Sequence, residues 1–361
     1  MTSASLFTPF HMGAHALRNR LVMNPMTRCR ATVDAVPTPI MATYYTQRAS
    51  AGLIVTEGIA PSPNGRGYAR TPGLWSAEQV AGWKPVTAGV KAAGGVIFAQ
   101  LMHTGRVSHP FNMPAGAQVV APSAVPLKDQ AYTDQAGMQD YPLAQAMTAA
   151  DIAQARAEFV TSVRNAVDAG FDGIELHGAN GYLLEQFLSP LTNQRQDDFG
   201  GSIANRIRFM VAVAKDVVAA IGAARVGIRL SPYGTAAGMA GYPDIAQTYL
   251  ALFHALAPLG LAYVHLVDFT GHPGVTAPAG FRGTLRKAWP GAFIVAGGFD
   301  EASAGHIIDG GVADLVGLGR AFISNPDLVA RLQHGKPLAK ANGATFYSAG
   351  PEGYIDYSSA D

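Results

Sequence analysis

The stretch DIAQARAEFVTSVRNAVDAGFDGIELHGANGY, residues 151–182, contains one complete unit of helix, strand and loop. Apolar residues recur every three or four positions before Gly170 and would share one helix face. They are Ile152, Ala155, Phe159, Val163, Ala166 and Val167. A short apolar run at 173–176 then predicts a buried strand, and the glycines at 178 and 181 predict a loop directly after it.

The same unit recurs along the chain. Strand-length apolar runs lie at 21–23, 53–56, 96–101, 173–176, 226–230, 263–267, 293–296 and 315–318. Further amphipathic helices fit 202–221, 243–257 and 326–332. Apolar strands that alternate with helices indicate a parallel sheet covered on both faces, and eight such units close a barrel. We predict an α/β fold, a single-domain (β/α)8 TIM barrel over residues 1–361. The alternative is an open doubly wound sheet, whose dinucleotide fingerprint G-x-G-x-x-G does not occur after the first strand.

Three segments lie outside this repeat. Residues 103–147 are too many for a simple loop and are rich in Pro, Gly and Ala, which predicts a lid-like excursion over the barrel mouth after the third strand; a disordered insertion is the alternative. We expect residues 1–20 to cover the opposite end of the barrel. The tail at 341–361 either reaches the barrel mouth or frays, and we favour the first.

Composition narrows the class of partner. Charged residues make up 14% of the chain, the net charge is +1, and no Lys/Arg run occurs, so we expect small-molecule ligands rather than nucleic acid or a membrane surface. A single cysteine, Cys29, excludes a disulfide framework and Cys-rich metal sites, and no metal site is predicted. Because the N-terminus has no signal-peptide pattern and no run approaches the length of a membrane span, we expect a cytoplasmic protein.

The loop at 177–182 carries three groups that suit one reaction. His177 and Asn180 can both donate a hydrogen bond to one oxygen, and Tyr182, with a reference pKa near ~10, is a neutral acid at pH 7. Two donors and one acid suit a carbonyl group that is converted to an enolate. The alternative is structural, with a hydrogen-bonded His177 at a strand end and a half-buried Tyr182.

The ends of the other strands are also polar or glycine-rich. In a barrel these ends form the active face. They carry Pro25, Met26, Thr27, Gly58, Gln100, His103, Arg229, Gly297, Gly298, Gly319 and Arg320. Glycine pairs and an arginine after the last two strands fit a phosphate site, and Arg229 within an apolar strand indicates a bound anion or carboxylate. A phosphate, a buried cation and an amide suggest flavin mononucleotide (FMN), with Arg229 near the reduced ring and Gln100 and Thr27 at its pyrimidine edge.

With these residues identified, the sequence strongly resembles the Old Yellow Enzyme family of FMN-dependent ene reductases over nearly its whole length. The shared motifs are NPMTR at 24–28, PTP at 37–39, YY at 44–45, QRA at 47–49, GLI at 52–54, QLMHTGR at 100–106, HGANGY at 177–182, NQR at 193–195, DFGGS at 198–202, GR at 319–320, NPD at 325–327, TFY at 345–347 and GYIDY at 353–357. Several long motifs in the family order make chance similarity an inadequate explanation.

The resemblance implies roles for individual residues. Noncovalent FMN would be lined by Pro25, Met26, Thr27, Gly58, Gln100, His177, Arg229, Gly297, Gly298, Gly319 and Arg320. His177 and Asn180 would bind the substrate carbonyl, and Tyr182 would protonate Cα after a hydride passes from flavin N5 to Cβ. Tyr68, Met102 and Tyr347 would line the substrate pocket. NAD(P)H would be the reductant, and the protein would be a monomer or a weak homodimer.

Other functions remain possible at this stage. The same flavin could denitrate nitrate esters or reduce nitroaromatics. Two alternatives belong to other functional classes: a lyase whose barrel binds a substrate phosphate, and a flavin-binding module without turnover. Two departures from the family also stand out: Met102 occupies a position where most relatives have Trp, and the stretch 234–242 lacks the acidic residues usual there.

Overall fold

A computed structural model describes residues 4–269, 275 and 277–359 of the chain. Eight parallel strands close into a barrel, which confirms the predicted fold. In chain order the strands are β1 (Phe10–Met12), β2 (His15–Leu17), β3 (Leu21–Met23), β4 (Leu53–Ile59), β5 (Ile97–Leu101), β6 (Val120–Ala121), β7 (Gln130–Thr133), β8 (Gly137–Asp140), β9 (Gln145–Ala146), β10 (Gly173–Gly178), β11 (Val226–Leu230), β12 (Tyr263–Val267), β13 (Ala292–Ala296) and β14 (Leu315–Leu318). The barrel runs β10-β11-β12-β13-β14-β3-β4-β5 and closes from β5 to β10.

The predicted strands match the barrel strands closely. Two of them, β4 and β10, continue beyond their apolar runs, to Ile59 and Gly178. Added residues of both strands pair with neighbouring strands, so His177 lies within β10, opposite Arg229 of β11. The longer β10 therefore fixes the His177 backbone in the barrel wall rather than in a loop.

Helices cover the outside of the barrel. They are α1 (Pro39–Gln47), α2 (Ala77–Ala92), α3 (Ala149–Asp168), α4 (Leu183–Gln186), α5 (Ile203–Ile221), α6 (Ile245–Leu256), α7 (Phe281–Ala288), α8 (Glu301–Asp309), α9 (Arg320–Ser324) and α10 (Leu328–Gln333).

Helix α3 shows why the sequence folds this way. Thr148 and Asp151 form a capping box that satisfies its first amides, and Gly170, at φ 89°, allows the chain to turn away after its end. Its predicted apolar face is buried except for the partly exposed Val167, and a fully buried side chain such as Phe159 stabilises the fold by about 1.5–3 kcal/mol.

The N-terminal hairpin β1–β2 closes the end of the barrel where the strands begin. Met12 and Leu17 pack in one cluster with side chains from the starts of several strands, among them Phe98, Tyr263 and Leu315. The opposite end, where the parallel strands finish, is thereby left for the loops.

The excursion at 103–147 contains an antiparallel hairpin, β7–β8, and a short parallel pair, β6–β9. Arg70, in the segment after β4, forms an ion pair with Asp134 at the tip of this hairpin. The same guanidinium donates a 3.0 Å hydrogen bond to the Tyr347 carbonyl oxygen in the tail. The excursion and the tail thus meet at one point on the barrel mouth; a lid function for the hairpin stays a prediction.

Two buried arginines fix the tail. Arg28 donates to the carbonyl oxygens of Phe346 and Gly353, at 3.0 and 2.8 Å. Arg30 donates to those of Thr345 and Glu352, both at 2.9 Å. Because both arginines lie in the segment after β3, they bring Phe346 and its neighbour Tyr347 to the barrel mouth.

None of the helices within the described ranges is both long and apolar enough to span a membrane.

Candidate active site

Two adjoining cavities open at the carboxyl ends of the barrel strands. The inner cavity has a volume of about 460 Å³ and the outer cavity about 800 Å³. Thr27, Tyr182 and Tyr347 line both cavities and form the boundary between them. These three side chains can therefore contact a ligand in either cavity.

Most residues predicted to contact FMN line the inner cavity. They are Pro25, Met26, Thr27, Gln100, His177, Arg229, Gly298, Gly319 and Arg320. Six strand ends contribute these side chains, although they are far apart in sequence. The sequence analysis gave no site role to Asn24, Arg28, Ile323 and Phe346, which line the same cavity. The sequence signal for Arg28 was its place in the NPMTR motif that follows β3.

Two predicted cofactor residues, Gly58 and Gly297, do not line this cavity in the part of the chain that the structure describes. At Gly58 a Cβ atom would lie 2.5 Å from the Met102 sulfur, and at Gly297 it would lie 2.5 Å from the Asp268 carbonyl oxygen. Packing against these neighbours explains both glycines, so their contact with FMN stays a prediction.

A buried polar network lies behind the inner cavity. Glu175 accepts a hydrogen bond from Gln100 Nε2 at 2.8 Å, and its other oxygen lies 2.8 Å from His265 Nδ1. Burial disfavours its charge, but His265, Arg229 and Gln100 together hold its pKa below the usual value. Burial also lowers the pKa of Arg229, and the Glu175 carboxylate opposes that shift. The Glu175 carboxylate and the Arg229 guanidinium thus each stabilise the charged form of the other beside the inner cavity. The signal for Glu175 was an acid within an apolar strand.

Two buried nitrogen atoms at the inner cavity have no hydrogen-bond partner within residues 4–269, 275 and 277–359: His177 Nδ1 and Arg229 Nε. Leaving such groups unpaired costs about 1–3 kcal/mol each, so they indicate a polar ligand. A cation next to Gln100, with Arg320 and two glycines elsewhere on the wall, fits the anionic ring and phosphate of reduced FMN.

His177 is neutral in this environment. Its ring is 3% exposed, and burial, aided by the nearby Arg229 charge, holds its pKa well below the usual value. A neutral imidazole has one N–H to donate. Asn180 lies beyond the strand end at φ 57°, a left-handed conformation that Asn tolerates better than most residues. Both side chains reach the inner cavity, as predicted for a pair that holds one oxygen.

Tyr182 lies next to His177, with 5.0 Å between ring centroids. Burial raises the pKa of Tyr182, while a hydrogen bond from Tyr68 opposes the rise. Tyr182 is therefore a protonated phenol at neutral pH. Its hydroxyl oxygen is 2.9 Å from that of Tyr68, which lines only the outer cavity.

The other predicted substrate residues lie in different places. Met102 lines the inner cavity and is 3% exposed, whereas Tyr347 is exposed and borders both cavities. The outer cavity also contains residues that the sequence analysis did not select: Cys29, Tyr132, Met138 and Tyr141. Three of these belong to the excursion, which was predicted to lie over the barrel mouth but none of whose residues was given a site role.

Known proteins resemble this chain over its whole length. The model of the NADH:flavin oxidoreductase / NADH oxidase family matches residues 5–339. A chanoclavine-I aldehyde reductase of Penicillium roqueforti is 43% identical, with 98% of this chain and 95% of the relative covered. A probable flavin mononucleotide-dependent alkene reductase of Leishmania infantum is 38% identical, with 98% and 96% covered.

Solved structures agree with these sequence matches. Morphinone reductase superposes with a TM-score of 0.95 at 39% identity and covers 100% of this chain and 97% of its own. The Old Yellow Enzyme homologue of Zymomonas mobilis superposes with a TM-score of 0.94 at 39% identity, with 98% and 99% covered. Family, fold and cavity residues therefore agree: the chain belongs to the Old Yellow Enzyme family and is an FMN-dependent, NAD(P)H-consuming flavin oxidoreductase.

Proposed function

We propose that this enzyme reduces the activated C=C bond of α,β-unsaturated carbonyl compounds. The observation that carries the proposal is the meeting of His177, Asn180 and Tyr182 on the inner cavity, which the cofactor residues also line. Two donors and one acid are the groups that enolate formation and protonation require. The relative from Leishmania infantum, whose name describes an alkene reductase, supports the same reaction class.

The cofactor would be held by groups already described. Gln100, Thr27 and Arg229 suit its ring system, and Gly298, Gly319 and Arg320 suit its phosphate. When bound, FMN takes electrons from NAD(P)H and supplies the hydride that is added to the substrate Cβ.

His177 and Asn180 hold the substrate carbonyl oxygen in this proposal. Their hydrogen bonds draw electron density toward the oxygen, which makes Cβ electron-poor and then stabilises the enolate oxygen. One such donor in an enclosed site contributes about 2.7–4 kcal/mol to transition-state stabilisation. Since His177 is neutral, it acts as a hydrogen-bond donor and not as an acid.

Tyr182 completes the reaction by protonating Cα. Its proton leaves as the enolate carbon forms a C–H bond, and the phenolate that remains accepts the hydrogen bond of Tyr68. Since Tyr182 also borders the outer cavity, its proton is restored from solvent on that side. A hydride on Cβ and a proton from the opposite face give net trans addition.

The test is a single-turnover experiment with photoreduced, anaerobic enzyme. We expect 2-cyclohexenone to reoxidise the flavin rapidly with formation of cyclohexanone. Denitration of nitrate esters and reduction of nitroaromatics are alternatives for the same reduced flavin, so glyceryl trinitrate and a nitrobenzene derivative are measured alongside. Fast reoxidation by either compound, with no cyclohexanone formed from the enone, would contradict the proposal.

A further inference from the structure

The loop that carries the proposed active-site residues begins with two left-handed residues. Asn180 has φ 57° and Gly181 has φ 78°. The loop has little room to adjust, because a Cβ atom at Gly181 would lie 2.7 Å from the Ala236 carbonyl oxygen and 2.9 Å from Met239 Cγ. A non-glycine residue held in this conformation needs compensating contacts from its surroundings.

The compensating hydrogen bonds lead to one carboxylate. The Asn180 amide donates to Ser231 Oγ at 2.7 Å, and Ser231 Oγ donates to Glu185 Oε1 at 2.8 Å. The Gly181 amide donates directly to Glu185 Oε2 at 2.6 Å. Glu185, on helix α4, therefore holds the preceding loop with both carboxylate oxygens: Oε2 binds the Gly181 amide directly, and Oε1 binds the Asn180 amide through Ser231.

Glu185 is a buried residue. Its side chain is 4% exposed, and the Tyr249 hydroxyl from α6 gives it a further hydrogen bond. Burial raises its pKa to about 7, and its described partners, one amide and two hydroxyls, oppose that rise without supplying a cation. The nearby Tyr242 phenol is also uncharged. A buried carboxylate without an ion-pair partner is costly to a fold, so its retention calls for a reason other than stability.

We propose that Glu185 is a positioning residue: its carboxylate fixes the backbone at 180 and 181 so that the Asn180 amide and the Tyr182 phenol both face the inner cavity. The roles of Asn180 and Tyr182 in this statement rest on the proposed function. Glu185 itself does not line either cavity in the described chain and acts only through the loop.

The first test is hydrogen–deuterium exchange on the flavin-loaded enzyme. Glu185→Gln keeps the shape but replaces one acceptor oxygen with an NH₂ donor, which faces groups that are already donors. We expect faster exchange at the amides of 180–182, with no change in strand β11 or in bound FMN. Tyr249→Phe is the matched control, because it removes a donor to Glu185 without touching a loop amide. Unchanged exchange in Glu185→Gln would overturn the proposal.

The second test is a double-mutant cycle on flavin reoxidation by 2-cyclohexenone. A displacement of catalytic groups of about 1 Å can cost ~10²-fold in rate, so we expect Glu185→Gln to slow reoxidation by about 10- to 100-fold. In a Tyr182→Phe background the same change should cost several-fold less, because the acid whose placement it disturbs is already absent. An equal factor in both backgrounds would show a general structural effect and would overturn the positioning role.

Two further outcomes are also decisive. If Glu185→Gln does not fold, Ser231→Ala replaces it, because this variant removes only the hydrogen bonds that connect the Asn180 amide to Glu185. Ser231→Ala should raise amide exchange at Asn180 and slow flavin reoxidation, though less than Glu185→Gln. No change in either measurement would overturn the proposal. If Tyr182→Phe alone reoxidises as fast as wild type, the proposed function loses its acid, while the exchange experiment still decides whether Glu185 holds the loop.

Discussion

The hydroxyl oxygens of Tyr68 and Tyr182 lie 2.9 Å apart, on segments that follow different barrel strands. This hydrogen bond lowers the pKa of Tyr182 against the effect of burial, so Tyr68 stabilises the phenolate left after proton transfer. We expect Tyr68→Phe to slow enone-driven reoxidation by about 2- to 12-fold, the equivalent of a net hydrogen bond of about 0.5–1.5 kcal/mol. Reduction by NAD(P)H is the internal control, and an equal slowing of both half-reactions would argue for a packing effect.

The oxygen-binding pair can be tested by truncation. Asn180→Ala removes one donor, and Ala tolerates the left-handed φ of 57° less well than Asn, so the loss of transition-state stabilisation for 2-cyclohexenone should be at least about 2.7–4 kcal/mol, or ~10²–10³-fold in kcat/KM. His177→Ala should cost as much, and it should also weaken FMN binding because His177 lines the cofactor cavity. Steady-state kinetics at matched flavin content separates the two effects. A loss below threefold in Asn180→Ala would remove this amide from oxyanion binding.

The pH dependence of flavin reoxidation depends on which groups at the site change charge. The pKa of His177 is held well below the usual value of about 6.5, so the imidazole stays neutral as pH falls through that value, and the high pKa of Tyr182 keeps the phenol protonated above pH 7. Neither group should therefore titrate between about pH 6 and 9. Glu185, which we propose to position the loop, has a pKa that burial raises to about 7, so we expect the rate of reoxidation by 2-cyclohexenone to fall as pH drops through about 7 and this carboxylate is protonated. Stopped-flow measurements across this range test the expectation. An inflection near 6.5 that disappears in His177→Asn would show that the imidazole titrates after all.

Met102 should set the tolerance of the pocket for bulky substrates. Its sulfur lies against Gly58, and its side chain lines the inner cavity beside Gln100 and His177. Met102→Trp should penalise enones with a large β-substituent by about 1–3 kcal/mol in relative kcat/KM and spare 2-cyclohexenone. Met102→Leu is the control of similar size. If the ratio of bulky to small substrates stays as in wild type in a flavin-loaded Met102→Trp variant, Met102 does not shape the substrate pocket.

Much of the barrel and of the inner cavity could be predicted from the sequence. Buried parallel strands are continuous apolar runs, so their positions are visible in one dimension, and polar residues just after them must meet at one end of the barrel. Thr27 was found in this way, and Gln100 and Arg229 were found as polar residues near the end of an apolar strand. The roles of Gly58 and Gly297 could not be assigned from the sequence, because a glycine at a strand end fits a cofactor contact and a packing contact equally well.

The outer cavity and the Glu185 network were beyond the reach of sequence patterns. The outer cavity depends on where the excursion and the tail settle, which contacts such as Arg70 with Asp134 decide across a long stretch of chain. Ser231 and Tyr249 follow Glu185 by 46 and 64 positions. No local periodicity connects residues at such distances, and only the closed barrel brings them together.

The most direct test of the central claim is the half-reaction kinetics of Tyr182→Phe. The account predicts that reoxidation by 2-cyclohexenone slows by roughly 10²–10⁴, the range for a positioned acid, while flavin reduction by NAD(P)H stays within about threefold of wild type. Anaerobic stopped-flow absorbance of the flavin follows both steps in one preparation. If Tyr182→Phe reoxidises at the wild-type rate, the proton comes from another source and the assignment of Tyr182 as the acid is wrong.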